Sequence, residues 1–237
     1  MRVDAAKTVR ELAVELPHAT RVFEKLGIDY CCGGGKSLEQ ACAAASVPVE
    51  QVLESLQTPA PPDTEGEWNT APLQSLIEHI LARHHAFVRA EIPRLEALLA
   101  KVNSVHAERH PELGQIQDSF RGLGQELLMH CMKEEQILFP YIIEMEQTLA
   151  QRRPVRPPMF GTVRNPVQMM MMEHDSAGAV LRAIRQASSG FTAPEDACIS
   201  YQTLYRALAD FEADLHQHIH LENNILFPRA VQMENGA

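Results

Sequence analysis

The sequence reads His130-Cys-Met-Lys-Glu134-Glu-Gln-Ile-Leu-Phe-Pro140 in one stretch and His218-Ile-His-Leu-Glu222-Asn-Asn-Ile-Leu-Phe-Pro228 in another. His, Glu, Ile, Leu, Phe and Pro recur at matching offsets in the two stretches. An internal duplication explains this agreement, and it predicts two helix pairs related by pseudo-twofold symmetry.

The His-x-x-x-Glu spacing places both side chains on one face of a helix. Residues four apart have Cβ atoms about 5–6 Å from each other, so an imidazole and a carboxylate can reach one ion together. Apolar residues lie seven positions before and after each histidine, on nearly the same face of a helix with about 100° per residue. They are Leu123, Ile137, Phe211 and Ile225. Both histidines are therefore expected to point into the core.

A metal ion is the expected reason for burying these groups. A lone histidine on an apolar face is usually a core residue with satisfied hydrogen bonds. Here two histidines and two carboxylates would be buried on facing helices, which is expensive unless a cation compensates. We therefore predict that His130, Glu134, His218 and Glu222 bind metal. Imidazole and bridging carboxylate suit iron or manganese, although ligand type alone also allows zinc.

A two-metal centre needs further nitrogen ligands from the other two helices. His174 fits this role, because it lies in an apolar stripe of its own helix. The residues that share its face are Val167, Met170, Gly178 and Leu181. We predict that His174 is a ligand.

The first helix of this group offers three histidines, His79, His84 and His85. Its apolar stripe centres closer to His84 than to His85, while Pro93 could rotate the register of the helix. Periodicity leaves the choice between His84 and His85 open.

Length and composition indicate one large domain and a small one. The chain has 237 residues, 45% of them apolar and 5% aromatic. Leu, Ala, Ile and Met carry the apolar content, which favours helices over sheets, so we expect an all-α protein. Four amphipathic segments, at about 72–102, 115–149, 166–188 and 195–231, are each long enough to be a bundle helix.

A Pro-rich, polar stretch marks the expected domain boundary. The sequence QTPAPPDTEGEWNTAP, from Gln57 to Pro72, lacks helical periodicity and is typical of a linker. We predict a small helical domain at 1–57, a linker at 58–71 and the helical bundle at 72–237.

The small domain carries a cysteine-bearing loop, Asp29-Tyr-Cys31-Cys32-Gly-Gly-Gly35. The capping boxes Thr8-x-x-Glu11 and Ser37-x-x-Gln40 predict helix starts on either side of it. A helix N-terminus lowers the pKa of a nearby thiol, so Cys31 and Cys32 are candidate reactive thiols. The plainer alternative is a tight Gly-rich turn without chemistry.

Charge and hydropathy argue against two kinds of partner. The formal charge is -10 at pH 7, and basic residues cluster only at Arg152, Arg153 and Arg156, so we do not expect nucleic acid. No apolar run approaches the roughly 20 residues that span a membrane, and the N-terminus lacks a signal-peptide pattern. We expect a cytoplasmic protein with no membrane partner. Five irregularly spaced cysteines indicate reduced thiols rather than a disulfide framework.

These motifs together resemble the di-iron iron-sulfur cluster repair proteins, called RIC or the YtfE/ScdA/DnrN type, whose C-terminal domain is hemerythrin-like. The likeness covers nearly the whole chain. It runs through the cysteine loop, Glu173-His174-Asp175 and both His-x-x-x-Glu repeats with their Leu-Phe-Pro ends.

In the first bundle helix the resemblance bears on the choice between His84 and His85, which periodicity leaves open. The family has a Tyr-His pair followed by an Arg and a Leu-Pro or similar pair. This chain has His84-His85, then Arg89 and Ile92-Pro93. The resemblance thus selects His85 as the ligand, with His84 where the family usually has Tyr.

The resemblance implies a hemerythrin-like antiparallel four-helix bundle that holds two iron ions. Each iron would take two histidines, and two glutamates would bridge the pair together with an oxo or hydroxo group. The ligands are then His85, His130, His174, His218, Glu134 and Glu222. Glu126 and Glu173 resemble acidic residues that line the family's access channel, and a solvated helix face is an equal alternative for them.

The function that the resemblance implies is repair of iron-sulfur clusters damaged by nitrosative or oxidative stress. Iron donation and the binding or reduction of nitric oxide are both compatible with it, so the sequence leaves open whether the chain is an enzyme. Expected partners are iron-sulfur client proteins, with nitric oxide or oxygen as small ligands. The alternative is reversible binding or sensing of these gases without repair, and the vicinal cysteines favour repair. The oligomeric state is open, a homodimer included.

Several other residues receive no role from the sequence. His216 and His220 point about 160° away from His218, onto the outer face of the helix. The run Met169-Met-Met-Met172 is expected to pack in the core. No function is assigned to His106, His110, His18, Cys42 or Cys198.

Overall fold

The computed structural model describes residues 4–16, 18–31, 33–57 and 68–236, and the elements of this part of the chain are helices. In chain order they are α1 (Val9–Glu15), α2 (Ala19–Leu26), α3 (Leu38–Ala45), α4 (Val49–Gln57), α5 (Leu73–Ile80), α6 (Ala86–His106), α7 (Glu112–Lys133), α8 (Phe139–Ala150), α9 (Arg164–Ala187), α10 (Ile199–His220) and α11 (Phe227–Asn235). The expectation of an all-α protein is confirmed. Among the described helices, none has the length and apolar character to cross a membrane.

Within the described residues, consecutive helices are joined by three π-helical turns: π1 (Leu81–His85), π2 (Glu134–Leu138) and π3 (Leu221–Leu226). Helix therefore runs without a loop through 73–106, 112–150 and 199–235, and α9 covers 164–187. These four ranges correspond to the four amphipathic segments read from the sequence. In each π turn an N–H bonds to the carbonyl five residues back, for example Phe139 to Glu134.

Proline explains two of the π turns. In a regular α-helix the proline ring collides with the carbonyl of the residue four positions back. For Pro140 and Pro228 that residue is Gln136 and Asn224, and each lies inside a π turn, where the wider spacing leaves room for the ring. The proline of each Leu-Phe-Pro sequence thus favours the π turn that contains the glutamate of the same repeat. We have no comparable account of π1, since Pro93 lies eight residues beyond it.

The chain forms two compact units, one of Met1–Ile77 with His216–Ala237 and the other of Glu78–Leu215. We call them unit 1 and unit 2. The predicted linker at 58–71 stays a prediction, because residues 58–67 lie outside the described part of the chain.

Unit 1 contains the small helical module. Both capping boxes form, since the Thr8 side chain accepts from the N–H of Glu11 and Ser37 from that of Gln40. The two caps lie side by side in an isolated antiparallel β-bridge between Thr8 and Ser37. The core of the module consists of Val9, Leu12, Ala13, Ala19, Phe23, Ile28, Tyr30, Leu38, Ala41, Cys42, Val52 and Leu56.

Unit 2 contains parts of all four long helical segments. Within it α6 packs against α7, and α7 packs against α9. Phe120 of α7 meets Phe211 of α10 edge to face, with ring centroids 5.3 Å apart. Gly124 allows α6 to approach, because a Cβ there would lie 3.0 Å from Cγ2 of Ile92. This packing positions the polar residues described next.

The π2 turn follows His130 and changes which apolar residues lie on the same helix face as His130. Leu123 is buried as predicted, but Ile137 is 51% exposed and Leu138 is buried in its place. One extra residue in the π2 turn rotates the following helix by about 100°, so the inward position moves from the seventh residue to the eighth. The prediction for Ile137 was wrong, while His130 is buried as expected.

Candidate metal centre

Three predicted ligands converge in the interior of unit 2. His130, Glu134 and His174 each offer a ligand atom, and these atoms lie within 4.8 Å of one another. Nε2 of His130 is 3.3 Å from Oε2 of Glu134 and 3.0 Å from Nε2 of His174. None of the three side chains is more than 3% exposed. Two imidazoles and a carboxylate therefore face one small, buried space.

His85 approaches the same carboxylate from the first long helix. Its Nε2 lies 3.4 Å from Oε2 of Glu134, and both side chains are fully buried. The neighbouring His84 instead has Nδ1 3.1 Å from Oδ2 of Asp214. His84 and His85 end the π1 turn, in which the helix register shifts, and both are buried. The register change therefore occurs at π1 and not at Pro93, where the sequence suggested it.

Two further carboxylates orient the imidazoles. Nδ1 of His85 lies 2.6 Å from Oε1 of Glu135, and Nδ1 of His130 lies 2.8 Å from Oε2 of Glu173. An ionised carboxylate can only accept, so each Nδ1–H donates and leaves the Nε2 lone pair directed at Glu134. This is the arrangement that metal-binding histidines use to fix their tautomer and orientation.

Both orienting carboxylates are themselves held by a cation. Arg89 donates to Glu135, and Lys133 donates to Glu173. Burial raises the pKa of Glu135, but the hydrogen bonds from Arg89 and His85 outweigh burial and leave the pKa below its usual value. The pKa of Glu173 is lowered in the same way, because hydrogen bonds from Lys133 and His130 outweigh its burial. Both carboxyl groups are therefore ionised acceptors at neutral pH.

Sequence reasoning gave no contact role to Glu135 or Arg89, and it assigned Glu173 to a channel or to a solvated helix face. A signal for Glu135 was present, since it directly follows Glu134 and an arginine lies four residues after His85. Adjacent glutamates on an exposed helix face give the same pattern, so the signal was weak.

Unit 1 contains the second His-x-x-x-Glu pair. Nε2 of His218 lies 3.0 Å from Oε1 of Glu222, and the two side chains are 1% and 0% exposed. Glu222 lies in π3, as Glu134 lies in π2. The repeat in sequence is thus also a repeat in local geometry.

The outer face of this last helix is covered, contrary to the prediction for His216 and His220. Asn224 donates from its amide nitrogen to the carbonyl of Tyr30 at 3.0 Å and to Nδ1 of His220 at 2.8 Å. The ring of Tyr30 lies 5.4 Å from that of His220 and 6.4 Å from that of His216. Burial lowers the pKa of His220 to about 4, so this ring is neutral at pH 7.

Tyr30 belongs to the cysteine loop, so these contacts tie the loop to the helix of Glu222. Its hydroxyl donates to Glu24, and His216 contacts the same carboxylate at 3.0 Å. Periodicity indicated a solvent-facing surface here because it cannot show that another part of the chain packs on it.

The predicted thiols Cys31 and Cys32 follow Tyr30 directly. Cys31 is 2% exposed, and its Sγ donates to Oδ1 of Asp29 at 3.5 Å. The same oxygen accepts from the backbone N–H of Cys31 and of Gly33. Asp29 therefore holds the loop closed around Cys31. Cys32 lies outside the described residues.

A cavity of about 830 Å³ opens onto two of the predicted ligands of unit 2, His130 and His174. His130, His174, Glu126 and Glu173 all line it, and Glu126 is exposed. Methionines also line it, and Met169 and Met172 are 54% and 72% exposed. The expectation that the whole methionine run packs in the core was wrong, although Met170 is buried.

The donor set in unit 2 fits iron. Three imidazole nitrogens meet one fully buried carboxylate, and imidazole suits iron, copper, nickel or zinc, while carboxylate adds a hard oxygen. A buried carboxylate without a cation nearby would be costly. The residues present therefore suit a metal site with mixed nitrogen and oxygen ligands.

Comparison with known families agrees with this donor set. The model of the Hemerythrin HHE cation binding domain matches residues 76–230. The chain belongs to the hemerythrin family. Its hemerythrin domain is preceded by a match at residues 5–60 to a Domain of Unknown function (DUF542). The predicted hemerythrin-like bundle with a small helical N-terminal domain is confirmed.

Relatives of this chain align with it over nearly their whole length. The iron-sulfur cluster repair protein YtfE of Citrobacter koseri is 37% identical over 224 residues, which make up 94% of this chain and 96% of the relative. The protein of that name from Escherichia coli O157:H7 has the same identity and coverage. The resemblance to the iron-sulfur cluster repair family, first read from the motifs, is confirmed.

Proposed function

We propose that this protein repairs iron-sulfur clusters damaged by nitrosative or oxidative stress, and that it does so with a di-iron centre. The observation that carries the proposal is the convergence of His85, His130 and His174 on the buried carboxylate of Glu134. The names of the relatives in Citrobacter koseri and Escherichia coli support the repair activity.

Six residues would hold the two irons: His85, His130, His174, His218, Glu134 and Glu222. A bridging role for Glu134 is supported by its Oε2, which lies 3.4 Å from Nε2 of His85 and 3.3 Å from Nε2 of His130. His218 and Glu222 repeat the spacing, burial and close contact of His130 and Glu134. The pseudo-twofold repeat therefore supports Glu222 as a second carboxylate that would help to hold the irons.

Residues around the proposed centre prepare its histidines to bind iron. Glu135 and Glu173 keep the protons of His85 and His130 at Nδ1, so each Nε2 is free of a proton and available to iron. All four groups in unit 2 are buried, so few water molecules would compete with a metal for the carboxylate of Glu134. When bound, the irons would supply a positively charged, redox-active site for small ligands such as nitric oxide or oxygen, and iron would also be the cargo in a donation mechanism.

We propose that Cys31 and Cys32 handle iron or electrons during repair. The contacts of Asn224 with Tyr30 and His220 support this role, since they hold the loop against the helix turn that carries Glu222. If a variant with serine at both positions kept full iron content and full repair activity, the thiol role would be refuted, while the di-iron centre would stand.

The direct test combines metal analysis with cluster restoration. We expect two irons per chain, and recovery of activity when the protein is added to a purified iron-sulfur dehydratase inactivated by nitric oxide. His130→Ala should lose iron and repair together, while His110→Ala, a histidine of the same unit outside the cluster, should retain both. One zinc per chain would refute the centre. Reversible gas binding without any recovery would favour the gas-binding alternative.

A second measurement separates the two routes to repair. The rate of iron transfer from the protein to a chelator is compared with the rate at which the client cluster recovers. Donation requires the first rate to match or exceed the second. Recovery faster than iron release, with consumption of nitric oxide, supports detoxification at the centre.

The expected setting is the cytoplasm, with iron-sulfur proteins as clients. Support for the clients comes from the names of the relatives. An acidic chain with a formal charge of -10 also suits partners other than nucleic acid. Cell fractionation and crosslinking to a client enzyme would test both statements.

A further inference from the structure

A cysteine and a histidine meet in unit 2, away from the candidate metal ligands. Nε2 of His106 lies 3.2 Å from Sγ of Cys198. Cys198 is exposed, whereas His106 is only 5% exposed. A reachable thiol therefore rests on a buried imidazole, an arrangement found where a cysteine acts as a nucleophile.

The local structure holds the pair together. His106 is the last residue of α6, and Cys198 directly precedes α10. The carbonyl of Cys198 accepts the N–H of Gln202 at 3.0 Å, which starts the 22-residue helix α10. The first turn of a helix favours a negative charge, so the thiolate that forms during a reaction would be stabilised there.

The imidazole is fixed by packing and faces the thiol. The ring of Tyr201 lies 5.3 Å from that of His106. Nδ1 of His106 is buried and has no hydrogen-bond partner among the described residues, so the hydrogen bond of this ring is the one to Cys198.

The neighbouring His110 is committed elsewhere. Its Nε2 contacts Asp196 at 2.9 Å, and its Nδ1 contacts Glu112 at 3.2 Å. The rings of His110 and His106 both lie near Tyr201, but the contact with the sulfur of Cys198 is made by His106. This makes it a matched control.

We propose that Cys198 is a site of reversible S-thiolation, in which a low-molecular-weight disulfide is the reactant and His106 is the base. The thiol proton passes to Nε2 of His106, and Sγ attacks one sulfur of the disulfide. The disulfide bond of the reactant breaks as the bond to Sγ forms, and the departing thiolate takes the proton from His106. Cys198 is oxidised and the other half of the disulfide is reduced, so atoms and electrons balance.

Selectivity follows from burial. The other free cysteines in the described residues, Cys31, Cys42 and Cys131, are buried. Burial also raises the pKa of Cys42, which keeps it protonated. Of these four thiols, Cys198 is the one that a disulfide can reach.

The test uses hydroxyethyl disulfide, a neutral probe, on the full chain with its iron at neutral pH. Adducts are located by peptide mass mapping after short exposure. We expect Cys198 to be modified first, and His106→Gln to lower its initial rate by at least about tenfold, since a positioned base typically contributes about 100-fold or more. His110→Gln should change the rate less than about twofold by the same reasoning. Equal rates in the wild type and His106→Gln would overturn the proposal.

A second measurement covers the case in which His106→Gln does not fold, which circular dichroism would show. The wild-type protein is exposed to the same probe folded and in urea. We expect Cys198 to react faster in the folded protein, because the imidazole contact exists only there. Equal or faster reaction in urea would refute the role of His106. Cys198→Ser serves as the mass control and should leave iron content unchanged.

Discussion

Nδ1 of His85 lies 2.6 Å from Oε1 of Glu135, while Nε2 of the same ring lies 3.4 Å from Oε2 of Glu134. Two consecutive glutamates thus contact the two nitrogens of one imidazole. The glutamates can diverge in this way because Glu134 begins the π2 turn and is fully buried, whereas the Glu135 side chain is 26% exposed and bonds Arg89. One carboxylate faces the cluster that could hold a metal, and the other orients the imidazole of His85.

Glu135→Gln should weaken iron binding while preserving the fold. Glutamine replaces the charged, acceptor-only carboxylate behind His85 by a neutral amide that can also present a donor, so the tautomer of His85 is held less firmly, and such changes typically cost about 10–100-fold in metal affinity. The measurement is iron retention against a chelator series, with circular dichroism as the check on folding. Glu91→Gln, a half-buried glutamate paired with Arg94, is the control and should retain wild-type affinity. Unchanged retention in Glu135→Gln would show that the carboxylate has no such role.

Substitution of the adjacent histidines tests which of them binds iron. His85→Ala should reduce iron content by at least one ion per chain, because its Nε2 faces Glu134. His84→Ala removes the contact with Asp214 and should leave both irons in place. Iron is quantified per chain in freshly purified protein. Full iron content in His85→Ala, or its loss in His84→Ala, would reverse the assignment.

Asn224→Ala should destabilise unit 1. The side chain donates two buried hydrogen bonds, to Tyr30 and His220, and removing a buried partner costs about 1–3 kcal/mol. Urea unfolding of the iron-free protein measures this cost without any change in metal content. Asn69→Ala is the control, since exposed Asn69 also donates to a backbone carbonyl, that of Val14. An equal effect of the two substitutions would argue against the importance of the buried contact.

Gly34→Ala should also destabilise unit 1, for a steric reason. A Cβ at this position would lie 2.8 Å from the carbonyl oxygen of Tyr30 and 3.2 Å from Cβ of Arg10. Overpacking of this kind costs about 1–3 kcal/mol, because the backbone must shift. Gly35→Ala is the matched control, since a Cβ added at Gly35 would have no neighbouring atom within 4 Å among the described residues. Similar urea midpoints for the two variants would contradict the close packing of the cysteine loop.

Much of the fold could be predicted because its signals are local. The repeat, the apolar stripes and the capping boxes at Thr8 and Ser37 each depend on residues a few positions apart. They predicted four long helices and their approximate limits. They also selected His130, Glu134 and His174, which the structure brings within 4.8 Å of one another.

The errors came from changes of register and from contacts between distant residues. Ile137 is exposed because π2 inserts a residue into the turn, and a uniform helical period does not contain that information. His220 is buried because Tyr30, far away in the sequence, packs on it. Nor did spacing connect His106 with Cys198, which are 92 positions apart.

The sequence alone determined the helical class, the repeated pairs and the residue types that can bind iron, because helical spacing assigns side chains to faces. Only the tertiary structure decided which carboxylates face inward and which lie behind the imidazoles. Glu134 and Glu135 are neighbours in the chain with the same chemistry. Their different roles follow from the π turn between the helices and from the positions of His85 and Arg89, which packing brings to them.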